Sequence, residues 1–381
     1  MSDRVDLWQV GGACPNLADR VRIPEIGDRP TLSVLMPNYN HARFLPESLE
    51  AILTQSYPPL EVIVLDDAST DNSVEVIEKF ASRDARVRLV RNERNMGVEW
   101  SVNRLFGLAF GDYIYSPSAD DKILPSFFEK SMMLLARHPE AGLCSTVGRI
   151  IGKNGEDRGV RSLPVVSRHP RCFSPDEVRH LLLRYGRWID AGSVIYRRNA
   201  FAEVGGQLVN LQSFADSFMN LVIALRWGAC FVPEPLSCFR QMGTGYASGL
   251  TFDWERLARI GEVAARLMRT TYRDLFPDRY VRLFERHWWY GVSVSAGRRT
   301  QLEHRRVWMS FIGVVPGRQS LLDRVSTNVL SALGWLQVAV ARVYSIARFG
   351  VWRWWLRGRL SILLNLWRVV VADRFTVHEA N

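Results

Sequence analysis

The stretch LSVLMPNYNHARFLPESLEAILTQSYPPLEVIVLDDASTDNS, residues 32–73, contains the pattern that decides the fold. Residues 31–37 are a short apolar run ending at a proline, which is typical of a buried strand. Residues 42–56 carry apolar side chains at helical spacing, with Pro46 near the first turn. The run EVIVLDD, 61–67, predicts a second buried strand.

The alternation of strands and helices continues beyond this stretch. We predict a helix over 69–83, a strand over 86–92, a helix over 97–111 and a strand over 112–118. Ser69 or Thr70 is expected to cap the first of these helices, because short hydroxyl side chains favour that position. Strands that alternate with single helices predict a parallel sheet with right-handed crossovers.

The second half of the chain has a more mixed pattern. It predicts a hairpin over 143–163 that turns at Asn154–Gly155, and a strand followed by a short helix over 190–206. It also predicts a helix over 213–228, a strand over 229–233 and helices from about residue 253 onward. We therefore divide the chain into an N-terminal arm (1–30), an α/β domain (31–250) and a helical C-terminal region (251–381).

Two pairs of adjacent aspartates follow predicted strands. Asp66–Asp67 ends the second strand, and Asp120–Asp121 follows the fourth in GDYIYSPSADDKILP, 111–125. Ligands of parallel sheets bind beyond the carboxyl ends of the strands, so both pairs are expected along one rim with residues 37–40. Adjacent carboxylates are unfavourable without a positive partner. This pattern predicts an acidic cleft that attracts a metal ion.

Composition and charge narrow the possible partners and compartment. The 381 residues carry a formal net charge of +10, which indicates an anionic partner such as a nucleotide, nucleic acid or lipid surface, or else a basic surface kept for solubility. The five cysteines are odd in number and lack a C-x-x-C spacing, which speaks against a disulfide framework or a cysteine zinc site. The charged N-terminus does not resemble a secretion signal. We expect a cytoplasmic protein.

The segment 343–375 interleaves tryptophans with arginines and has Asp373 as its single acid. That pattern suits a helix lying in a lipid interface, with arginine heads reaching phosphates. The hypothesis is peripheral attachment to an anionic membrane at the inner face of the plasma membrane. The alternative is a helix packed on the protein's own core or on a second subunit of an oligomer.

Five motifs occur in one order along the chain: strand-Pro-x-Tyr-Asn, Gln-x-Tyr-Pro, Val-Leu-Asp-Asp-x-Ser-Thr-Asp, Asn-x-Gly, and the acidic strand end followed by Pro125. Together they resemble the family 2 glycosyltransferases of the GT-A fold, over about residues 31–240. The resemblance implies a Rossmann-like, mostly parallel sheet flanked by helices, here with an α-helical C-terminal extension.

The resemblance also implies a nucleotide-diphosphosugar donor, most simply a UDP-sugar. The family's nucleotide contacts fall on Pro37, Asn38 and Tyr39 after the first strand. The aspartate that meets the nucleobase or ribose corresponds to Asp67.

The family's metal-binding motif falls on Asp120 and Asp121. Many relatives carry an aspartate two positions before Asp120, where this chain has Ser118. The resemblance therefore assigns Asp121 as the ligand of Mg²⁺ or Mn²⁺ and Asp120 as a ribose or metal contact. Such an ion offsets charge on a diphosphate leaving group.

Two aspartates are candidates for the general base that deprotonates the acceptor hydroxyl. The family places a Glu-Asp element at the start of a late helix, and FADSF here puts Ala215 and Asp216 there. Asp190 in RWIDAGS is the reserve candidate. Arg240 matches an Arg-x-His element near the diphosphate, although Met242 replaces the histidine; its role is either phosphate binding or structural.

The function implied is that of an inverting glycosyltransferase in bacterial-type polysaccharide, glycolipid or cell-envelope glycan synthesis, with a glycan or lipid-linked acceptor. The alternative is a non-catalytic nucleotide-binding or phospho-signalling domain with a basic tail that binds membrane or nucleic acid. No recognition motif in the sequence supports nucleic acid as a partner.

Overall fold

The computed structural model describes residues 29–242, 253–289 and 292. The ten strands of this part are β1 Leu32–Asn38, β2 Glu61–Asp66, β3 Val87–Arg91, β4 Tyr113–Tyr115, β5 Lys122–Ile123, β6 Leu143–Ile151, β7 Asp157–Val160, β8 Arg171–Phe173, β9 Ile195–Arg197 and β10 Ala229–Arg240. The helices are α1 Leu45–Leu53, α2 Ser73–Ala81, α3 Val98–Phe106, α4 Phe127–Arg137, α5 Pro175–Tyr185, α6 Arg198–Glu203, α7 Ala215–Trp227, α8 Trp254–Arg269 and α9 over 278–289.

All ten strands belong to one mixed sheet. The order β3-β2-β1-β4 is parallel throughout, which confirms the parallel arrangement predicted for the first half. β9 then pairs antiparallel with both β4 and β6, and β10 runs parallel to β6. The short strands β5 and β8 pair antiparallel with the two ends of β10, and β7 completes the predicted hairpin with β6.

Side chains of the central strands are buried on both faces of the sheet. Leu32, Val34 and Met36 of β1 pack under α1, α2 and α4, whereas Leu35 points to the opposite face and joins the cluster formed by α3, α5, α7 and α8. Successive residues of a strand point to opposite faces, so a strand covered by helices on both sides must be apolar at every position. This explains the continuous apolar runs at 31–37 and 61–67.

Several predicted boundaries differ from the structure. Helix α2 begins at Ser73 with Asn72 before it, so the predicted cap at Ser69 or Thr70 is wrong. Ser69 instead donates its backbone N–H to Asp66 and accepts from Asn38, contacts that hold it in the loop. The strand predicted over 229–233 continues to Arg240 because β5 and β6 pair with its second half.

The predicted N-terminal arm up to residue 28 and the basic segment 343–375 lie outside the described residues. The helices α8 and α9 agree with the helical pattern predicted from residue 253 onward. Within the described part of the chain, none of the helices has the length and apolar character needed to cross a membrane.

Candidate active site at the carboxyl edge of the sheet

The predicted site residues lie where the parallel strands end. Asn38 is the last residue of β1 and is buried, and its side-chain amide donates to Asp66 Oδ1 at 2.9 Å. Tyr39 follows and is 42% exposed, so its ring is accessible from solvent. Asp121 follows β4 after a short loop and directly precedes β5.

The first acidic pair is held by hydrogen bonds from its surroundings. Asp67 is buried and accepts from Asn92 Nδ2 at 2.6 Å and from the backbone N–H groups of Met96 and Gly97, both at 2.9 Å. Gly97 starts α3 with φ +92°, a conformation that other residues rarely adopt. Asp67 therefore fixes the loop between β3 and α3 at the predicted nucleotide-binding rim.

The second acidic pair, Asp120–Asp121, has more charged neighbours than the pair Asp66–Asp67. Asp121 is buried, and its Oδ1 accepts the backbone N–H of Arg240 at 2.7 Å. Burial, together with the neighbouring Asp120 and Asp190 carboxylates, raises the pKa of Asp121 well above its ordinary range. The Ser118 hydroxyl donates to Asp120, so the residue that replaces the family's aspartate orients the next carboxylate.

These carboxylates suit a divalent cation. A bound cation stabilises the ionised form of a buried carboxylate that has like-charged neighbours. Oxygen donors are the ligands that Mg²⁺ and Mn²⁺ prefer. The residues present therefore fit the metal that the fold family implies.

Arg240 is held inside the protein beside this pair. Its guanidinium donates to the carbonyl oxygens of Asp120 at 2.7 Å and Gly152 at 3.2 Å, pairs with Glu47 and lies 4.9 Å from the centre of the Phe44 ring. The residue is 3% exposed. These contacts connect the turn that contains Asp120 and Asp121 to α1 and to the β6–β7 hairpin.

Asp190 is buried close to Asp121. Its Oδ1 accepts from Arg161 at 2.5 Å, whereas the buried Oδ2 has no hydrogen-bond partner among the described residues. A Cβ added to Gly148 would lie 2.0 Å from that oxygen, so only glycine leaves room for it. Burial raises the pKa of Asp190, and the Arg161 guanidinium partly offsets this effect.

Asp216 occupies the first turn of α7 and is half-buried. The surrounding protein raises its pKa, while the N–H of Ser217 and the guanidiniums of Arg187 and Arg161 counteract the rise. Arg161 interacts electrostatically with Asp121, Asp190 and Asp216. The two candidate bases and the candidate metal ligand therefore share one arginine neighbour.

Sequence reasoning missed Arg161 and Arg187. Arg187 is exposed and forms no ion pair with the described residues. Arg161 lies just beyond the hairpin, where no local pattern distinguishes it from a solvent-facing arginine. The position of Arg187 three residues before Asp190 is the one signal that could have drawn attention to it.

Comparison with known proteins finds similarity in the stretch of the chain that contains these strand ends. The model of glycosyl transferase family 2 matches residues 33–205. Residues 33–205, less than half of the chain, are thus similar to glycosyl transferase family 2. The strand ends with Asn38, Asp67 and Asp121 all lie within this stretch, whereas Asp216 and Arg240 follow it.

Curated relatives are similar to shorter parts of the chain. EpsE of Bacillus subtilis is 37% identical over 138 residues, which are 36% of this chain and 49% of EpsE. The glycosyltransferase GlyG of Streptococcus pneumoniae is 38% identical over 98 residues, 26% of this chain and 33% of GlyG. The chain thus spans between a third and a half of the length of these two relatives.

Solved structures share the fold over a longer range. Residues 1–349 of TarS from S. aureus superpose with a TM-score of 0.52 at 19% identity, covering 85% of this chain and 91% of that one. The same protein in complex with UDP-GlcNAc gives a TM-score of 0.50 at 16% identity, over 73% and 87% of the two chains. The predicted GT-A fold is confirmed.

Proposed function

We propose that the protein is a metal-dependent, inverting glycosyltransferase that moves a sugar from a nucleotide-diphosphosugar to an acceptor hydroxyl. The observation that carries the proposal is the position of Asp120 and the buried Asp121 beside the buried Asp190, at the carboxyl edge of the stretch that matches family 2. The family match favours this function over a non-catalytic nucleotide-binding or phospho-signalling domain.

The donor binds along the ends of β1 and β2 in this proposal. Pro37, Asn38 and the exposed Tyr39 border the nucleotide, and Asp67 meets the base or ribose. Asp67 already accepts three hydrogen bonds, but two carboxylate oxygens offer about four acceptor positions, so one more donor can be accommodated. The UDP-GlcNAc bound to TarS supports a UDP-sugar as the first donor to examine.

Asp121 and Asp120 would hold the Mg²⁺ or Mn²⁺ ion. The ion supplies electrostatic stabilisation of the negative charge that grows on the leaving diphosphate. Arg240 and Ser118 contribute by fixing the two carboxylates before the ion binds. Because Arg240 is enclosed by its own hydrogen bonds, its part in donor binding is to position Asp120 and Asp121.

Asp216 acts as the general base, and Asp190 remains the reserve. Asp216 is half-buried and has its pKa raised, so it can accept a proton from an acceptor that enters from solvent. One oxygen of Asp190 is already paired with Arg161, which favours a role in shaping the charge of the site. The exposed Arg187 is positioned to attract an anionic donor or acceptor group to Asp216.

The acceptor is proposed to be a glycan or a lipid-linked sugar of the cell envelope. The support is the arginine and tryptophan pattern of 343–375, which suits attachment to an anionic membrane at its cytoplasmic face. An enzyme attached to the membrane would encounter a lipid-linked acceptor by diffusion in the plane of the same membrane.

A screen of nucleotide sugars by thermal shift, with and without Mn²⁺, tests the proposed function. We expect one class of nucleotide sugar to raise the unfolding temperature, and to do so more strongly with Mn²⁺, because a ligand that binds the native state stabilises it. Asp121→Asn should remove the part of this rise in unfolding temperature that depends on Mn²⁺. If no nucleotide sugar shifts the wild-type transition, the proposed donor class is wrong.

A further inference from the structure

A second group of side chains that can bind a metal lies far from Asp120 and Asp121 at the carboxyl edge of the sheet. His138 follows α4, Glu140 lies in the turn before β6, and Cys172 is the central residue of β8. One ligand atom from each of the three lies within 4.8 Å of the others. His138 Nδ1 is 3.2 Å from a Glu140 carboxylate oxygen.

The geometry points to a site for a thiophilic divalent cation of the zinc class, which we propose is bound by His138, Glu140 and Cys172. Imidazole, carboxylate and thiolate are all zinc ligands in proteins, and three protein ligands leave a fourth position for water. A thiolate and a carboxylate together carry the charge that balances a divalent cation. The mixed donor set distinguishes this cluster from an ordinary surface ion pair.

Cys230 supports Cys172 as the thiolate of the site. Cys172 and Cys230 face each other directly across the antiparallel β8–β10 pair. The thiolate is the form of cysteine that binds metals, and the Cys230 thiol is placed to donate a hydrogen bond to it. Cys230 itself is fully buried, so it can orient Cys172 without leaving the core.

The backbone around the other two ligands is also fixed. The N–H of Ala141 donates to the His138 carbonyl at 3.0 Å, which closes a turn around Glu140. Arg197 donates to the Pro139 carbonyl at 3.3 Å. A metal would therefore join a preformed turn to the edge of the sheet.

This site is distinct from the candidate catalytic centre. Cys230 lies at the start of β10, and Arg240, which contacts Asp121, is its last residue. Ten residues of extended strand separate the two by roughly 30 Å. The proposed ion is thus structural, and it links the end of α4 to β8.

Titration of the metal-free, reduced full chain with Co²⁺ tests the site, because a cobalt–thiolate bond gives a charge-transfer absorption that carboxylate ligands do not. We expect the band to reach its maximum at one Co²⁺ per chain and to disappear when Zn²⁺ displaces the cobalt. Cys172→Ala should abolish it, and His138→Ala and Glu140→Gln should weaken binding. Cys230→Ala should weaken it about 10- to 100-fold as a neighbour of the ligands.

Two matched variants serve as controls. His180→Ala removes an exposed histidine of α5, and Cys238→Ala removes a buried cysteine of β10 next to β5; both should retain the band and the Co²⁺ affinity. Zn²⁺ should raise the unfolding temperature of the wild type and of these controls more than that of Cys172→Ala, in which the carboxylates of the candidate active site remain to bind Zn²⁺. Absence of the band in the wild type, its persistence in Cys172→Ala, or a Cys172–Cys230 disulfide in the purified protein would overturn the proposal.

Discussion

At the scale of single residues, Asp216 and Asp190 have different surroundings although both have raised pKa values. We expect Asp216→Asn to lower turnover by about 10²- to 10⁴-fold, because a general base acts on the acceptor in the transition state. Donor affinity should change little. Steady-state turnover and calorimetric donor binding measure the two effects separately.

Asp190→Asn is the matched comparison for that variant. It keeps the shape of the side chain but weakens the pairing with Arg161, so the main expected effect is on stability and metal affinity. If Asp190→Asn shows the large loss of turnover and Asp216→Asn does not, then Asp190 is the base.

The pH dependence of turnover follows from the raised pKa of Asp216. A carboxyl with a raised pKa keeps its proton to higher pH, and only the ionised form can accept a proton. Turnover should therefore fall as the pH drops through that pKa, at a higher pH than the roughly 3.9 of an ordinary aspartate. The residual activity of Asp216→Asn should lack this acid limb; an unchanged acid limb in that variant would count against the assignment.

At the scale of secondary-structure elements, Arg240 joins three parts of the fold. Arg240→Ala leaves the carbonyl oxygens of Asp120 and Gly152 without their donor and removes the partner of Glu47. We expect a loss of about 2–4 kcal/mol in the free energy of unfolding, since buried groups left unsatisfied are costly. Mn²⁺ affinity should fall as well, because the Asp120 carbonyl loses its side-chain donor, although the Arg240 backbone N–H still holds Asp121.

Arg158→Ala is the control for Arg240→Ala. Arg158 lies on β7 of the same hairpin, is exposed and pairs with Glu156, so its loss should cost less than about 0.5 kcal/mol. Chemical denaturation measures both variants. Equal effects of the two substitutions would show that Arg240 does not position the acidic turn.

Local signals predicted most elements of the first half, but the helices α4 and α5 were not predicted, although α5 begins with a capping box formed by Ser174 and Glu177. The runs at 31–37 and 61–67 identified β1 and β2 because both faces of these strands are buried. The two- and three-residue strands β5 and β8 were missed, because they exist through pairing with β10 and have no periodicity of their own. The length of β10 was underestimated for the same reason.

The candidate site was predictable where a motif carries it and not where distant segments meet. The motif order placed Asp67 and Asp121 correctly at the strand ends. The contact between Asp121 and Arg240 joins residues 119 positions apart, and that between Arg161 and Asp190 depends on how the hairpin packs. Neither arrangement has a local sequence signal, so the structure was needed to find the arginine shared by Asp121, Asp190 and Asp216.

At the scale of the whole molecule, the basic tail leads to a prediction about membranes. Full-length protein should float with anionic vesicles at low salt and be released as salt rises, since exposed charges are screened. Replacing Arg353, Arg357 and Arg359 by glutamine should weaken this binding, and truncation after residue 320 should abolish it. A full-length chain that ignores anionic vesicles at low salt would contradict the membrane hypothesis and leave the oligomer alternative, which sedimentation mass tests.

The most direct measurement of the central claim is release of nucleotide diphosphate from nucleotide sugars in the presence of Mn²⁺, by the wild type and by Asp121→Asn. The substitution keeps the shape of the side chain while removing the charge that the cation needs, and the native fold should be retained. We predict Mn²⁺-dependent release by the wild type and none above background by Asp121→Asn, with both proteins unfolding cooperatively. Wild-type activity in Asp121→Asn at limiting metal, or no release by the wild type from any nucleotide sugar, would contradict the account.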